Sequence, residues 1–172
     1  MKKIFLAIAM FGLLSIISVP AFMATAYALG CKQNVARVET CQYEMTVLYK
    51  AIAAYGKTHN NKYPAANEWC DLIIKNDNNT KGWFLCCESS NINREPPYKC
   101  SYAINPKAEP NSASDVVLLF ETKEGWNQFG GPELMTFDNH YRKGCNVLFN
   151  DGRVKFIKPK QKDKLKWGTT TP

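Results

Sequence analysis

The feature that most restricts the fold is the N-terminus, where two lysines are followed by 27 uncharged positions from Ile4 to Gly30. A bilayer crossing needs only ~20 apolar residues. The run ends in Ala26-Tyr27-Ala28, a small-x-small pattern of the type that signal peptidase cleaves. We predict that residues 1–28 are a signal peptide or a retained membrane anchor. The protein is therefore expected to be exported to the periplasm or the outside of the cell, and a retained anchor would hold it at the inner membrane.

Cysteines are the second constraint, because the chain has seven of them and an exported protein meets an oxidising compartment in which cysteines form disulfides. Cys31 follows Gly30, so lipidation of this thiol is a third fate of the leader, and it would leave an even number of cysteines. No Cys-x-x-Cys occurs, which argues against zinc, thioredoxin-like and c-type haem sites. We predict a disulfide framework whose pairing the sequence leaves open, built from Cys41, Cys70, Cys86, Cys87, Cys100 and Cys145.

The residues after the leader begin with a predicted amphipathic helix. Its apolar residues recur at steps of three and four, which is the spacing of one helix face. Gly56 and Lys57 are residue types suited to the C-terminal end of a helix. After a polar loop at 57–65, a shorter helix is predicted over Ala66 to Lys75. The apolar stripe of the first helix consists of Val35, Val38, Cys41, Met45, Leu48, Ile52 and Tyr55.

Strands are predicted in the second half of the chain. Runs rich in β-branched and aromatic residues cover Cys100–Ile104 and Asp115–Glu121. Two further runs, Cys145–Asn150 and Arg153–Lys158, flank Asp151-Gly152, a signal for a two-residue type I′ hairpin turn with positive φ at both central residues. The order predicts an α+β fold, in which a long N-terminal helix packs on a small antiparallel meander of three or four strands stabilised by disulfides.

A series of short motifs extends this organisation from residue 41 to residue 157. In chain order they are Cys41 with Tyr55, Tyr63-Pro64, Trp69 with Leu72, Phe84-Leu85-Cys86, Ser101-Tyr102-Ala103-Ile104-Asn105, Leu118-Leu119-Phe120-Glu121 and Asn146-Val147-Leu148-Phe149-Asn150-Asp151-Gly152-Arg153-Val154. Together they resemble a large group of bacterial prepilin-like proteins and the pseudopilins of type II secretion. The resemblance implies a pilin-like domain over residues 29–157 that acts through contacts with other proteins of the cell envelope.

The chain departs from that group in two places. Ten residues separate His140 from Asp151, where the group has nine, and Arg153 stands where the group often has His. The leader also lacks the Gly-Phe-Thr-Leu-x-Glu phrase at which prepilin peptidase cuts, and no acidic residue precedes Glu39. The resemblance therefore implies a pilin-like domain behind an ordinary export signal, and it leaves open whether the protein polymerises.

The resemblance also suggests a calcium site, because major pseudopilins bind calcium in their C-terminal loops. Calcium takes oxygen ligands from carboxylates and amides, and the candidates are Glu121, Asp138, Asn150 and Asp151. Two other roles stay open: Asp151 as part of a hairpin turn, and Glu121 as a strand end or as the partner of Arg142. No other cofactor is expected.

A glycine-flanked loop at 125–131 holds Trp126 and Phe129. These two aromatic residues are candidates for a partner-binding patch, and the alternative is that they anchor the loop to the core. No Gly-x-Ser-x-Gly, His-Glu-x-x-His or phosphate-binding loop occurs. We therefore expect a protein that is not an enzyme.

The net charge of +7 is concentrated toward the C-terminus, where residues 158–172 are predicted to form a basic, flexible tail. The expected partners are proteins of the cell envelope, with membrane contact through the N-terminal segment and no nucleic acid. The favoured function is that of a pilin- or pseudopilin-like envelope protein related to type II secretion or pili. The alternative is a soluble, disulfide-stabilised binding module of the periplasm or the extracellular space with the same fold.

Overall fold

The computed structural model describes residues 19–85 and 99–168, with side chains from Arg37 onward. The chain divides into two compact units, Met1–Ala36 and Arg37–Pro172. The predicted cleavage site and lipidation site belong to the first unit, of which only helical backbone is described. Cys86, Cys87 and the last four residues lie outside the described residues. No helix in the described part of the chain is both long and apolar enough to cross a membrane.

Helix α1 spans Val19–Thr58, but the prediction of a long N-terminal helix packed on the sheet is wrong. Only about 22 helical residues, from Arg37 on, belong to the folded unit. The longest strand has 9 residues and spans ~30 Å, whereas 22 helical residues already span ~33 Å. The helical part of this unit is thus about as long as the longest strand. Within this part the predicted stripe is confirmed, since four of its members are fully buried: Cys41, Met45, Leu48 and Ile52.

Two short helical segments follow the first helix. A 3-10 turn at Ala66–Glu68 leads into α2, Trp69–Asn76, and a second 3-10 segment covers Asn78–Trp83. Helix α2 buries Trp69, Cys70 and Ile73 against the core. The side chain of Asp77 accepts a hydrogen bond from the backbone N–H of Asn79 at 3.0 Å, which caps the second 3-10 segment.

The strands form one antiparallel meander, which confirms the α+β class. Neighbours in the sheet are also neighbours in sequence, in the order β1-β2-β3-β4. Of the two inner strands, Cys145–Phe149 is buried throughout and Val117–Gly125 is buried in its first six residues, as expected for strands covered on both faces. The strands are β1 Cys100–Ile104, β2 Val117–Gly125, β3 Cys145–Phe149 and β4 Val154–Ile157.

The sheet separates two apolar clusters. Tyr102 and Leu119 belong to the cluster that contains the buried side chains of α1 and α2. Their neighbours Ala103 and Phe120 belong to the other cluster, because successive residues of a strand point to opposite faces. The second face is covered by irregular chain that contributes Leu134, Met135, Phe137, Leu165 and Trp167.

The β3–β4 connection differs from the predicted two-residue type I′ turn. The backbone N–H of Gly152 donates to the carbonyl of Phe149 at 2.9 Å, and Gly152 is the residue with positive φ, +85°. This is a three-residue hairpin loop that ends in a left-handed residue. The Asp151 side chain favours this geometry, because it accepts a hydrogen bond from the backbone N–H of Arg153 at 3.1 Å.

The C-terminal segment packs on the sheet as far as Gly168, in contrast to the flexible tail expected from its lysines. A 3-10 segment covers Pro159–Lys164. The carbonyl of Lys166 then accepts a hydrogen bond from the backbone N–H of Val117 at 2.9 Å. The Trp167 ring meets Phe120 edge-on, with 4.9 Å between centroids. The segment is held because apolar side chains alternate with its lysines.

No disulfide joins any two of the four cysteines whose side chains the structure describes, Cys41, Cys70, Cys100 and Cys145. All four are buried. The predicted disulfide framework and its pairing stay a prediction. Burial raises the pKa of the Cys70 thiol, and the neighbouring Cys100 thiol adds to this effect.

Candidate functional site

The most unusual polar group of the molecule is the carboxylate of Glu121, which is 0 % exposed in the middle of β2. The backbone N–H of Asn146 donates to its Oε2 atom at 2.7 Å, and the Asn146 side-chain amide donates to Oε1 at 3.0 Å. The Nε2 atom of His140 lies 2.8 Å from Oε1. A buried carboxylate is stable only when its oxygens are hydrogen-bonded or neutralised, and both oxygens of this one are hydrogen-bonded.

His140 is brought to Glu121 by the connection between β2 and β3. It ends a 3-10 turn, Asp138–His140, and the carbonyl of His140 accepts a hydrogen bond from the backbone N–H of Lys143 at 3.0 Å. The imidazole is 3 % exposed. The ring of Phe156 on β4 lies edge-on to it at 5.6 Å. His140 therefore lies in a connecting loop, but its side chain is buried.

Cys41 completes this group from the helix side. One ligand atom each from Cys41, Glu121 and His140 lie within 4.8 Å of one another, and all three residues are buried. They come from three separate parts of the chain: α1, β2 and the turn before β3. We call these three residues together with Asn146 the Glu121 cluster.

The Glu121 cluster is closed to solvent, which limits its chemistry. Neither a nucleophile nor a general base acts on a substrate that cannot reach it. Cys145, the cysteine closest in sequence to His140, is also buried, and its pKa is raised first by burial and second by the nearby Glu121 carboxylate. Its thiol is thus held protonated, which is the opposite of an activated nucleophile.

The four predicted calcium ligands do not come together. Glu121 is hydrogen-bonded to Asn146. Asn150 comes four residues after Asn146, which in extended chain is a distance of ~13 Å from Asn146. The Asn150 side-chain oxygen accepts a hydrogen bond from the Tyr63 hydroxyl at 2.9 Å. Asp151 pairs with Arg153 at 2.6 Å. The remaining candidate, Asp138, pairs with Arg142 at 3.3 Å, so Arg142 is not the partner of Glu121.

A second buried acidic residue escaped the sequence analysis. Glu44 lies on the inner face of α1, and the Tyr102 hydroxyl donates to its Oε2 atom at 2.8 Å in a buried environment. The signal was present in the helix periodicity, because residue 44 falls between Cys41 and Leu48 on the apolar face. The core between helix and sheet thus holds two carboxylates, each with a polar partner on the sheet side.

The two predicted partner-binding residues have different environments. The Trp126 indole N–H donates to Asp71 at 3.0 Å, and its ring packs against Phe84 at 5.4 Å. Trp126 therefore anchors its loop, whereas Phe129 is 48 % exposed. Two other large aromatic residues, Tyr43 and Tyr141, are also exposed, at 58 % and 59 %. The sequence periodicity did not predict their exposure.

A polar cleft of about 550 Å³ lies between the 60–66 loop and the 104–111 segment. Its lining is rich in side-chain amides and prolines, and includes Tyr63 and Lys62. Burial raises the pKa of the Tyr63 hydroxyl to about 12, with Tyr49 as a smaller cause. The volume falls in the range of small-molecule sites, ~300–1,000 Å³.

Comparison with known proteins gives no independent guide to function. Models of protein families, curated proteins and solved structures were each searched, and none matches this chain.

Proposed function

We propose that this is a non-enzymatic, exported protein of the cell envelope that acts by binding other proteins, in a role related to type II secretion or pili. The observation that carries the proposal is the state of Tyr141. Its ring is 59 % exposed, although its backbone is left-handed with φ 53°. The next residue, Arg142, is also left-handed with φ 60°.

Two adjacent left-handed residues that are not glycine, asparagine or aspartate are uncommon, and such backbone strain concentrates at functional positions. The strain is not offset by burial of the tyrosine ring. The ring is instead held outward, and its hydroxyl accepts a hydrogen bond from Nη1 of Arg37 at 3.3 Å. Tyr and Arg are the residue types enriched in the energetic centres of protein interfaces. We call Arg37, Tyr141 and Arg142 the Tyr141 surface.

The closed Glu121 cluster supports the non-enzymatic part of the proposal. It contains the only group of three or more potential acid, thiol and imidazole ligands that lie close together in the described part of the chain, and all of them are buried. The uncharged run at 4–30 supports export, as does the use of seven cysteines. The protein is therefore proposed to reach the periplasm or the extracellular space, with or without an anchor at the inner membrane.

The test is site-specific photo-cross-linking in the cell of origin. A photoreactive amino acid replaces Tyr141 in one strain and Lys75, an exposed residue of α2, in a control strain. Discrete protein adducts are expected from position 141 and not from position 75. Intact-mass analysis of the exported protein gives its mature N-terminus in the same experiment. A cytoplasmic protein with a full leader, or the absence of adducts at 141 from an exported one, contradicts the proposal.

The polar cleft favours a second candidate, a soluble module that binds a small polar ligand. Exposed amide side chains such as Asn61 and Asn111 offer both donors and acceptors, and these suit an uncharged polar molecule. Screening the protein against short glycans and peptides by thermal shift separates the two candidates. A ligand that binds in the cleft, in a protein without adducts at position 141, would favour this second function.

A further inference from the structure

We propose that the Glu121 cluster is a structural binding site for a divalent metal ion of the zinc class, with Cys41, His140 and Glu121 as ligands. Thiolate, imidazole and carboxylate are the three ligand types that zinc uses in proteins. The ligand atoms already lie within 4.8 Å of one another in the core. This proposal is independent of the proposed function, since it concerns only how α1 is fastened to the sheet.

The chemistry of the donors selects the metal. A thiolate and an imidazole favour zinc over calcium or magnesium, which take oxygen ligands. The charges also balance, because one thiolate and one carboxylate neutralise a doubly charged ion next to a neutral imidazole. A neutral assembly is what a buried position requires, since an uncompensated charge in the core is strongly unfavourable.

The distances fit a tetrahedral ion after small movements. With bonds of about 2.0 Å to nitrogen and oxygen and about 2.3 Å to sulfur, neighbouring ligand atoms lie ~3.3–3.6 Å apart. His140 Nε2 and Glu121 Oε1 are 2.8 Å apart, so they separate by roughly half an ångström to admit the metal. The Cys41 sulfur is no more than 4.8 Å from one ligand atom of each of the other two residues, so it approaches by at most ~1.3 Å to reach the spacing around zinc.

Asn146 borders the site and has one buried polar atom without a partner. Its side-chain oxygen accepts no hydrogen bond from the described part of the chain. Its side-chain nitrogen faces the cluster, 3.0 Å from Glu121 Oε1 and 3.3 Å from His140 Nε2. A half-turn of the amide exchanges oxygen and nitrogen, and it would turn the oxygen toward the metal as the candidate fourth ligand.

The metal would have a structural role, joining α1 to the sheet, rather than a catalytic one. A zinc ion with four protein ligands and no solvent access has no position for water or substrate, and this is the usual arrangement of structural sites. Without metal, the Glu121 carboxylate keeps its bonds to Asn146 and His140. The metal-free protein is therefore expected to fold, so binding can be measured on a folded protein.

The experiment uses the exported protein as isolated, and then the same protein after removal of metal with a chelator. Zinc chloride alone is titrated and followed by the thermal midpoint and by metal analysis after desalting. Cobalt(II) replaces zinc in a parallel titration, because a cobalt–thiolate bond gives a charge-transfer absorption band. We expect one equivalent of metal per chain, a raised midpoint and the thiolate band.

Matched variants assign the ligands. Cys41→Ser is expected to lose the thiolate band and to bind zinc more than about 100-fold more weakly, since loss of a residue that only hydrogen-bonds to a ligand already costs about 10- to 100-fold in affinity. Cys145→Ser removes another buried thiol close to Glu121 and should keep both properties. His140→Gln provides a second ligand deletion if Cys41→Ser folds poorly. The proposal is overturned if the folded wild-type protein binds no zinc at micromolar concentration. It is equally overturned if Cys41→Ser binds as the wild type does, or if Cys41 is disulfide-bonded in the exported protein.

Discussion

Replacement of Glu121 by glutamine tests whether the buried carboxylate stabilises the fold. The carboxylate receives three hydrogen bonds, two from Asn146 and one involving His140. Glutamine keeps the shape but turns one oxygen into an NH₂ group. In one orientation this group opposes the side-chain amide nitrogen of Asn146, and in the other it opposes the Asn146 backbone N–H. At least one buried donor is therefore left without an acceptor in either orientation.

An unsatisfied buried donor costs ~1–3 kcal/mol, and the remaining bonds lose the strength that the charged acceptor gives them. The total is close to the ~3–5 kcal/mol observed when one partner of a buried ion pair is removed. We therefore expect Glu121→Gln to lower the free energy of unfolding by about 3–5 kcal/mol. With a denaturant slope of ~2 kcal/mol per molar urea, the midpoint should fall by roughly 1.5–2.5 M.

The assay is urea unfolding followed by tryptophan fluorescence, in the presence of a chelator so that metal binding does not contribute. Glu124→Gln is the matched control, since it makes the same change on the same strand. Glu124 lies 2.8 Å from the Lys99 ammonium, and both side chains are partly exposed, so its replacement should cost less than ~1 kcal/mol. Equal midpoint shifts for the two variants would refute the reasoning.

Three further changes test separate parts of the structure. Tyr141→Gly is expected to raise the free energy of unfolding by about 1 kcal/mol, because glycine adopts the left-handed backbone without strain. It should also abolish cross-linking from neighbouring positions of the Tyr141 surface. A lower urea midpoint than that of the wild type would contradict the first expectation. Tyr63 has its pKa raised to about 12 by burial, so its contribution to stability is complete below pH ~10 and is lost as pH rises from ~10 to ~12. As the pH rises through this interval, the urea midpoint of Tyr63→Phe should accordingly fall less than that of the wild type. If the two proteins show the same dependence of midpoint on pH, the prediction is wrong. Gly152→Ala should cost at least ~1–2 kcal/mol, because φ is +85° and the new Cβ would lie 2.6 Å from the Tyr49 ring. Gly168→Ala has 3.7 Å of room and should change the midpoint little, so a similar loss in both alanine variants would count against local strain.

Periodicity was sufficient to predict the elements of the fold. The stripe through Cys41, Met45 and Leu48 is buried as its spacing required, and each of the predicted strands is present. These predictions succeed because local pattern and tertiary burial agree. The number of helical residues in the second unit was not predictable in this way, because helix periodicity does not indicate where that unit begins.

The Glu121 cluster could not be predicted from local sequence patterns either. Its members lie on α1, β2, β3 and the turn before β3, and no spacing rule connects residues so far apart in the chain. Glu121 was a candidate calcium ligand on sequence grounds, whereas His140 stood out only by its spacing from Asp151. Their pairing follows from the register of β2 with β3, which brings Asn146 opposite Glu121. That register was fixed by burial of both faces.

The loop of the β3–β4 hairpin and the packing of the C-terminal segment were both predicted wrongly from residue types alone. Asp-Gly predicted a two-residue turn, but the hydrogen bond from the backbone N–H of Arg153 to the Asp151 side chain stabilises a loop of three. The alternation of lysines suggested a solvated tail, and it concealed Leu165 and Trp167, which pack on the far face of the sheet. In both cases a side-chain contact outweighed the pattern of residue types.

The docking of Lys166 and Trp167 has a consequence for biosynthesis. The start of the central strand β2 receives its backbone partner from Lys166 and its aromatic cover from Trp167. Neither residue has left the ribosome when the helices and the strands have been synthesised. The start of β2 therefore gains these two contacts only after almost the whole chain has been synthesised, so the sheet is completed late.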